Sequence, residues 1–202
     1  MTLARAKPVR QERSRRTRDR LLAAGHTLLR EKPWAELSVT AIAKRAGCSV
    51  GSFYARYGSK EEFFEALCAD YLDQRNRAIE TYWDGVTPDQ DLAHALVTNV
   101  VNSIKDHRNL WQAALTRSAL EPHFWDLFRG TGIAVFTRFT QHLEARRGRP
   151  LTEDETKRAR FAQLLLNGYI NNTVMVQPGL YRLEDEKVID ELSRAVALVA
   201  EI

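Results

Sequence analysis

The residues able to do chemistry fall into three sets. The first is the usual catalytic and metal-binding stock. His26, His94, His107, His123 and His142 show no His-x-x-x-His spacing, and neither Cys48 nor Cys68 has a Cys or His neighbour at zinc spacing. There is no glycine-rich phosphate loop and no Gly-x-Ser-x-Gly elbow. The expectation is no metal, no cofactor and no enzyme. The second set is cationic. Residues 1–60 carry 14 Lys and Arg against 4 Asp and Glu, while residues 61–202 carry 16 against 22. A basic first third suits a small module that meets a polyanion, and the acidic remainder implies a different task. The third set is aromatic: Trp83, Trp111, Phe124, Trp125, Phe128, Phe136 and Phe139, interleaved with Asn102, Gln112, Asn167, Asn171 and Asn172. Apolar walls with a few oriented amides are what a small-molecule site needs. Taken singly, each of these aromatics reads more readily as core than as a ligand contact.

The elements that must position these residues are helices. Leu21, Gly25, Leu28 and Leu29 form one helical stripe, Phe63, Phe64, Leu67, Cys68, Tyr71 and Leu72 a second, and Leu92, Leu96, Val100 and Ile104 a third. Phe161 to Asn172 and Leu192 to Val199 repeat the pattern, and no run alternates as a strand does. The fold class read from this is all-α. Pro33, Pro88, Pro122, Pro150 and Pro178 fall between stripes, where a missing N–H does least harm. Ser38 is a candidate cap, and Ser59 with Glu62 and Thr152 with Glu155 have capping-box spacing. Gly130 and Gly132 mark either a helix break near Arg129 or a loop after a short helix. Residues 1–12 read as a mobile basic arm. With 202 residues, 44% hydrophobic and 28% charged, the chain can bury a sizeable core. No apolar run reaches the roughly 18–20 residues of a membrane span, and none follows the basic N-terminus as a signal peptide requires. The expected location is the cytoplasm, with reduced thiols.

Within the basic third, helices are expected at 14–31, 38–45, 49–55 and 59–74. Only Gly47 and Cys48 separate the second from the third, the spacing of a helix-turn-helix. The third helix is anchored by Phe53 but otherwise stripped to Ser49, Gly51, Ser52 and Ala55. A slim, hydrogen-bonding face of this kind suits a DNA major groove about 12 Å wide. Lys44 and Arg45, and the arginines at 13, 15, 16, 18 and 20, add positive charge beside it.

The run Ser38-Val-Thr-Ala-Ile-Ala-Lys-Arg-Ala-Gly-Cys-Ser-Val-Gly-Ser-Phe-Tyr-Ala-Arg-Tyr-Gly-Ser-Lys-Glu-Glu62 resembles the DNA-binding signature of TetR-family transcriptional regulators. Tyr57 stands where that family usually has Phe, and Arg56 where it often has His. The resemblance implies a DNA-binding domain over 14–74, with its motif core at 38–57, and a ligand-binding and dimerisation domain over 75–202. It implies that Thr40 and Tyr54 donate to phosphates and that Ser49, Val50, Gly51 and Ser52 lead the recognition helix onto base edges and backbone. Lys60 would reach the backbone beside a helix N-terminus. Tyr57 would cover the same surface or the small core, and Arg56 would strengthen phosphate contact. No residue at the leading end is an obvious base reader, so DNA shape and the arginine-rich arm are expected to share in specificity.

For the remainder, the helices near 153–176 and 184–201 are the expected homodimer interface. Gly168 would allow close approach, and Leu164, Leu165 and Leu166 would serve interface and core together. The expected ligand-contacting residues are Trp83, Trp111, Phe124, Phe128, Phe136, Asn167, Asn171 and Asn172, taking a neutral, lipophilic or aromatic effector. The expected activity is that of a ligand-responsive repressor bound as a dimer to a palindromic operator. The alternative is an architectural DNA-binding protein without a ligand.

Overall fold

The structure is a computed structural model describing residues 6–87, 89–176, 180–185 and 187–202, with side chains at Glu12 and from Ser14 onward. Among these residues the chain is helical and contains no strand. The elements are α1 (Ala6–Glu31), α2 (Val39–Arg45), α3 (Val50–Tyr57), α4 (Lys60–Asp84), α5 (Leu92–Lys105), α6 (Arg108–Leu120), α7 (Asp126–Arg147), α8 (Glu153–Val176) and α9 (Lys187–Ala200). Single 3-10 turns lie at Trp34–Glu36 and Pro122–Trp125. The all-α class is therefore what forms. Contacts divide the chain into two compact units between Tyr71 and Leu72, and α4 supplies residues to both.

Two expectations are corrected at the level of elements. The basic stretch at 1–12 is helical from Ala6 onward, and residues 1–5 lie outside the described residues. Pro8 sits in the first turn of α1, where backbone N–H groups have no partner inside the helix to lose. Gly130 and Gly132 produce neither a break nor a loop, because α7 runs through both. Each glycine costs about 1 kcal/mol in a helix interior. The buried stripe Phe128, Val135, Phe139 and Leu143 holds the helix together across them. Pro88 and Pro178 fall outside the described residues.

The first unit is built on aromatic packing. Phe53 and Phe63 are fully buried and meet edge to face, with ring centroids 5.1 Å apart. Tyr57 meets Phe63 at 4.8 Å. Around them close Leu21, Leu22, Leu29, Ile42, Ala43, Phe64 and Leu67. Helix α1 approaches α4 closely at Gly25, where a Cβ would stand 2.8 Å from a Leu67 methyl and 2.9 Å from the Phe63 ring. His26 and Asp70 bridge the same two helices at 2.9 Å.

The second unit is centred on α5. Its residues Leu92, Ala93, Leu96, Val97, Val100, Val101 and Ile104 are buried, and the helix packs against α6, α7 and α9. Asp91 caps α5 through His94 N–H at 3.0 Å. The capping box expected at Thr152 is complete. The Thr152 N–H donates to the Glu155 carboxylate at 2.7 Å, and the Glu155 N–H donates to the Thr152 hydroxyl at 3.3 Å. Arg149 adds a two-point contact, with both guanidinium nitrogens 2.8 Å from the two Glu155 oxygens. Arg147 pairs with the same carboxylate.

Two outcomes follow. Gly25→Ala should destabilise the first unit by about 1–3 kcal/mol, read as a fall in the thermal unfolding midpoint, because its methyl group overpacks Leu67 and Phe63. The hydrogen bond from Arg149 holds the Glu155 carboxyl well below the ordinary 4.5. Its stabilisation is therefore complete above about pH 4.5 and is lost as pH falls toward the lower folded value. Glu155→Gln should weaken the protein at neutral pH and flatten its loss of stability on acidification, as measured by denaturant titration between pH 7 and 3.

Candidate nucleic-acid interface

Helix α2 ends in a tight left-handed turn. Gly47 adopts φ +64°, its N–H donates to the Lys44 carbonyl at 3.2 Å, and the Cys48 N–H donates to the Ala43 carbonyl at 3.0 Å. These two bonds make a Schellman cap, which favours glycine at the position with positive φ. Two residues on, Ser49 caps α3 by accepting the Ser52 N–H at 3.1 Å, and the two hydroxyls lie 2.9 Å apart. Ser38 caps α2 in the same way through Ala41 N–H at 3.1 Å. The turn is thus fixed by backbone conformation and by local side-chain bonds, and little core is spent on it.

With Phe53 buried, the opposite side of α3 faces out. Ser49, Val50, Gly51, Ser52, Tyr54 and Ala55 are all exposed, Tyr54 by 48%. Thr40 and Lys44 of α2 are exposed too. The small side chains of α3 do not lie beneath the protein's own helices. A Cβ on Gly51 would meet nothing nearer than the Ser49 hydroxyl at 3.8 Å. Gly51 is therefore not required by the fold.

Three expected contact residues are used differently. Tyr57 belongs to the core and not to the contact surface. It is one helical turn from Phe53, so both rings point inward, and burial raises its hydroxyl pKa. Lys60 is folded back, its ammonium 4.5 Å from the Trp34 ring centroid and 3.1 Å from the Trp34 carbonyl it donates to. Burial lowers its pKa. A cation gains from the electron-rich indole face, which is the physical reason it turns from solvent. Arg56 donates to the Ser14 carbonyl at 2.8 Å and to the Ser14 hydroxyl. Neither Trp34 nor Ser14 is visible as a partner in sequence, since 26 and 42 residues separate them from the groups they hold.

The proposed ligand set of the second unit is not brought to one place. Trp111, Phe124 and Phe128 do meet, with Trp125 among them, and the Trp111 indole N–H donates to the Asn171 side chain at 2.9 Å. Trp83 is fully buried against a different set, Phe139 and His142, which makes it core. Phe136 lies under the Arg160 guanidinium at 5.1 Å. Asn167 is half-buried, whereas Asn172 faces solvent because it shares the outer face of α8 with Leu165 and Gly168. An apolar groove of about 190 Å³ does exist in this unit, but it lies between α8 and α9. Leu165, Leu166, Tyr169, Leu192, Val196 and Val199 line it, and none of the expected ligand residues does.

A recognition helix bared on one side and hinged to its partner by a single glycine defines a helix-turn-helix DNA-binding protein. Residues 21–67 match the family model for bacterial regulatory proteins of the tetR family. No curated protein matches the chain. Solved structures share the fold over nearly its whole length. A protein from Mesorhizobium loti assigned to the tetR family is 18% identical, with 94% of this chain and 95% of that one covered and a TM-score of 0.66. A TetR transcriptional regulator from Rhodococcus sp. RHA1 is 24% identical, with 93% and 97% covered and a TM-score of 0.52. The regulator FadR from Bacillus subtilis, solved in complex with stearoyl-CoA, is 17% identical, with 90% and 96% covered and a TM-score of 0.63. Residues 21–67 thus match the DNA-binding domain of bacterial tetR-type regulators, and the chain shares the fold of those solved structures.

The free space at Gly51 separates folding from binding. Gly51→Ala should leave thermal stability unchanged or slightly raised, since alanine favours helix by about 1 kcal/mol over glycine. On the expectation that Gly51 lies against the groove, the same variant should weaken DNA binding in a band shift, because its methyl group holds the backbone away. Ser49→Ala should instead cost about 1 kcal/mol of stability through loss of the cap.

Proposed function

We propose that the protein is a repressor that binds a palindromic operator as a homodimer and is released by a small lipophilic or aromatic effector. The observation that carries the dimeric part is the outer face of α8 and α9. Phe161 is 56% exposed, Leu164 53%, Leu165 48% and Leu198 80%, and Ala195 and Gly168 lie open between them. Leu166, next in sequence, is buried in the unit's own core. A contiguous apolar face of this kind is unusual on a monomer, and a paired-helix contact buries on the order of 2,000 Å². A twofold pairing would present two recognition helices to half-sites about 34–36 Å apart, or a multiple of that.

On this reading Thr40, Lys44 and Tyr54 bind phosphates, while Ser49, Val50, Gly51 and Ser52 lie against the groove floor and its rims. The effector would bind beside Trp111, Phe124, Phe128 and Asn171, and the stearoyl-CoA held by the Bacillus FadR supports a lipophilic ligand. Such a ligand shifts the protein only by its difference in affinity for the operator-bound and released forms, typically about 1–3 kcal/mol. Helix α4, unbroken from Lys60 to Asp84, would carry the shift. One observation favours the architectural alternative. The Trp111 indole already satisfies the Asn171 amide oxygen, and Trp125 stacks on Phe128 at 5.1 Å, so the protein's own side chains fill this region. A melting-temperature rise with stearoyl-CoA, together with loss of the band shift, would decide for the repressor.

Two measurements test the dimeric operator reading. Selection from a pool of duplex fragments should return inverted repeats bound with a steep salt dependence, and equal recovery of all sequences would defeat it. Leu165→Glu and Leu198→Glu should each convert a sedimenting dimer to monomer and abolish operator binding, while leaving helical content intact.

A further inference from the structure

The connection between α1 and α2 has few anchors. Of residues 33–38, Pro33, Ala35, Glu36 and Ser38 are exposed, and only Trp34 and Leu37 turn inward. Helix α2 itself buries only Ile42 and Ala43. Trp34 meets the start of α4 at two residues one helical turn apart. Its ring centroid is 4.8 Å from that of Phe64, and the Lys60 ammonium lies 4.5 Å from the indole centroid. The Trp34 carbonyl accepts both the Leu37 N–H and the Lys60 ammonium, each at 3.1 Å. Lys60 is half-buried, and a cation on an indole face counts for more as water is excluded from it.

We propose that Lys60 is a positioning residue: held on Trp34, it fixes where α2 starts, and so the angle at which α2 and α3 together meet a duplex, and it does not itself touch phosphate. The inference rests on the DNA-binding reading above. Gly47 and the Ser49 cap join α2 to α3 rigidly, so the pair needs an anchor at each end. At the α3 end the anchor is Phe53 on Phe63. At the α2 end it is Trp34, placed by Phe64 and by Lys60. A lysine at the start of a helix in a basic module has, by composition, the look of a phosphate contact. Its ammonium is instead engaged by an indole and a carbonyl 26 residues away in sequence. A charge used in this way releases no counterions from DNA. It sharpens the choice between one duplex and another, because a misaligned α3 still finds phosphates but loses base edges.

The experiment uses the full chain and compares the wild type with K60M, K60R, W34L and the double variant W34L/K60M. Binding is read across salt on the duplex that selection recovers and on a random duplex of equal length. K60M should lose about tenfold on the selected duplex and nothing on the random one, with an unchanged salt slope. K60R, whose guanidinium also stacks on an indole, should restore the selectivity. In the W34L background the K60M change should cost nothing more, because the two residues act through one contact. In the free protein K60M should speed amide hydrogen exchange over residues 34–42, a readout that needs no DNA. A direct phosphate contact would instead weaken binding to both duplexes and shrink the salt slope by about two, one phosphate per protomer, which would overturn the proposal. So would equal loss on both duplexes at unchanged slope, the mark of a merely weakened fold. Additive losses in the double variant, or unaltered exchange, would overturn it as well. A wild type that prefers no duplex defeats the DNA-binding reading itself, whereas a selective wild type matched by an equally selective K60M defeats only the role of Lys60. Should W34L unfold, K60M and K60R decide alone.

Discussion

The recognition surface depends on one constraint: a helix of eight residues must be held firmly while keeping most of its side chains outside. Packing alone cannot do this, because a well-packed helix gives its large residues to the core. Here one fully buried ring, Phe53, anchors α3 against Phe63 of α4, and Tyr57 one turn later adds a second inward ring. The remaining restraint is local. The left-handed Gly47 and the Ser49 cap fix the angle at which α3 leaves α2. Neither device draws on the outward residues beyond the capping hydroxyls themselves.

Cations divide in a parallel way. The basic third of the chain looks from composition like a uniform polyanion surface. In the structure several of its charges serve the protein. Lys60 rests on Trp34, Arg56 holds Ser14, Arg16 pairs with Glu12 and Arg45 approaches Glu31 at 3.5 Å. Exposed pairs such as the last two stabilise little and are screened by salt, so they exchange readily for other anions. The Arg56 contact is different in kind, since a guanidinium on a helix carbonyl joins two elements far apart in sequence.

Much of this was legible in the sequence. Helix positions followed from the spacing of apolar residues, and the caps at Ser38, Ser59 and Thr152 formed where short-range patterns indicated. Such features are local, and each is decided within four or five residues. The outward face of α3 was legible too, because its residues are too small for a core. What was not legible is set by contacts distant in the chain. Tyr57 and a DNA-facing tyrosine look alike until the packing of Phe63 is known. Trp83 and Trp111 are both candidate ligand aromatics in sequence, yet one is buried beside His142 and the other reaches Asn171. Gly130 and Gly132 read as punctuation because propensity is local, whereas the buried stripe of α7 that overrides them is not.

The openness around Gly51 has a consequence for lineage as much as for binding. Val50, Gly51, Ser52 and Ala55 contribute little to holding the unit together, so exchanges among them are nearly free of folding cost. On the proposed reading of this face, a gene copy can therefore wander toward new target sites without passing through an unfolded ancestor. Divergence in address is cheap here, while divergence at Phe53 or Gly47 is not.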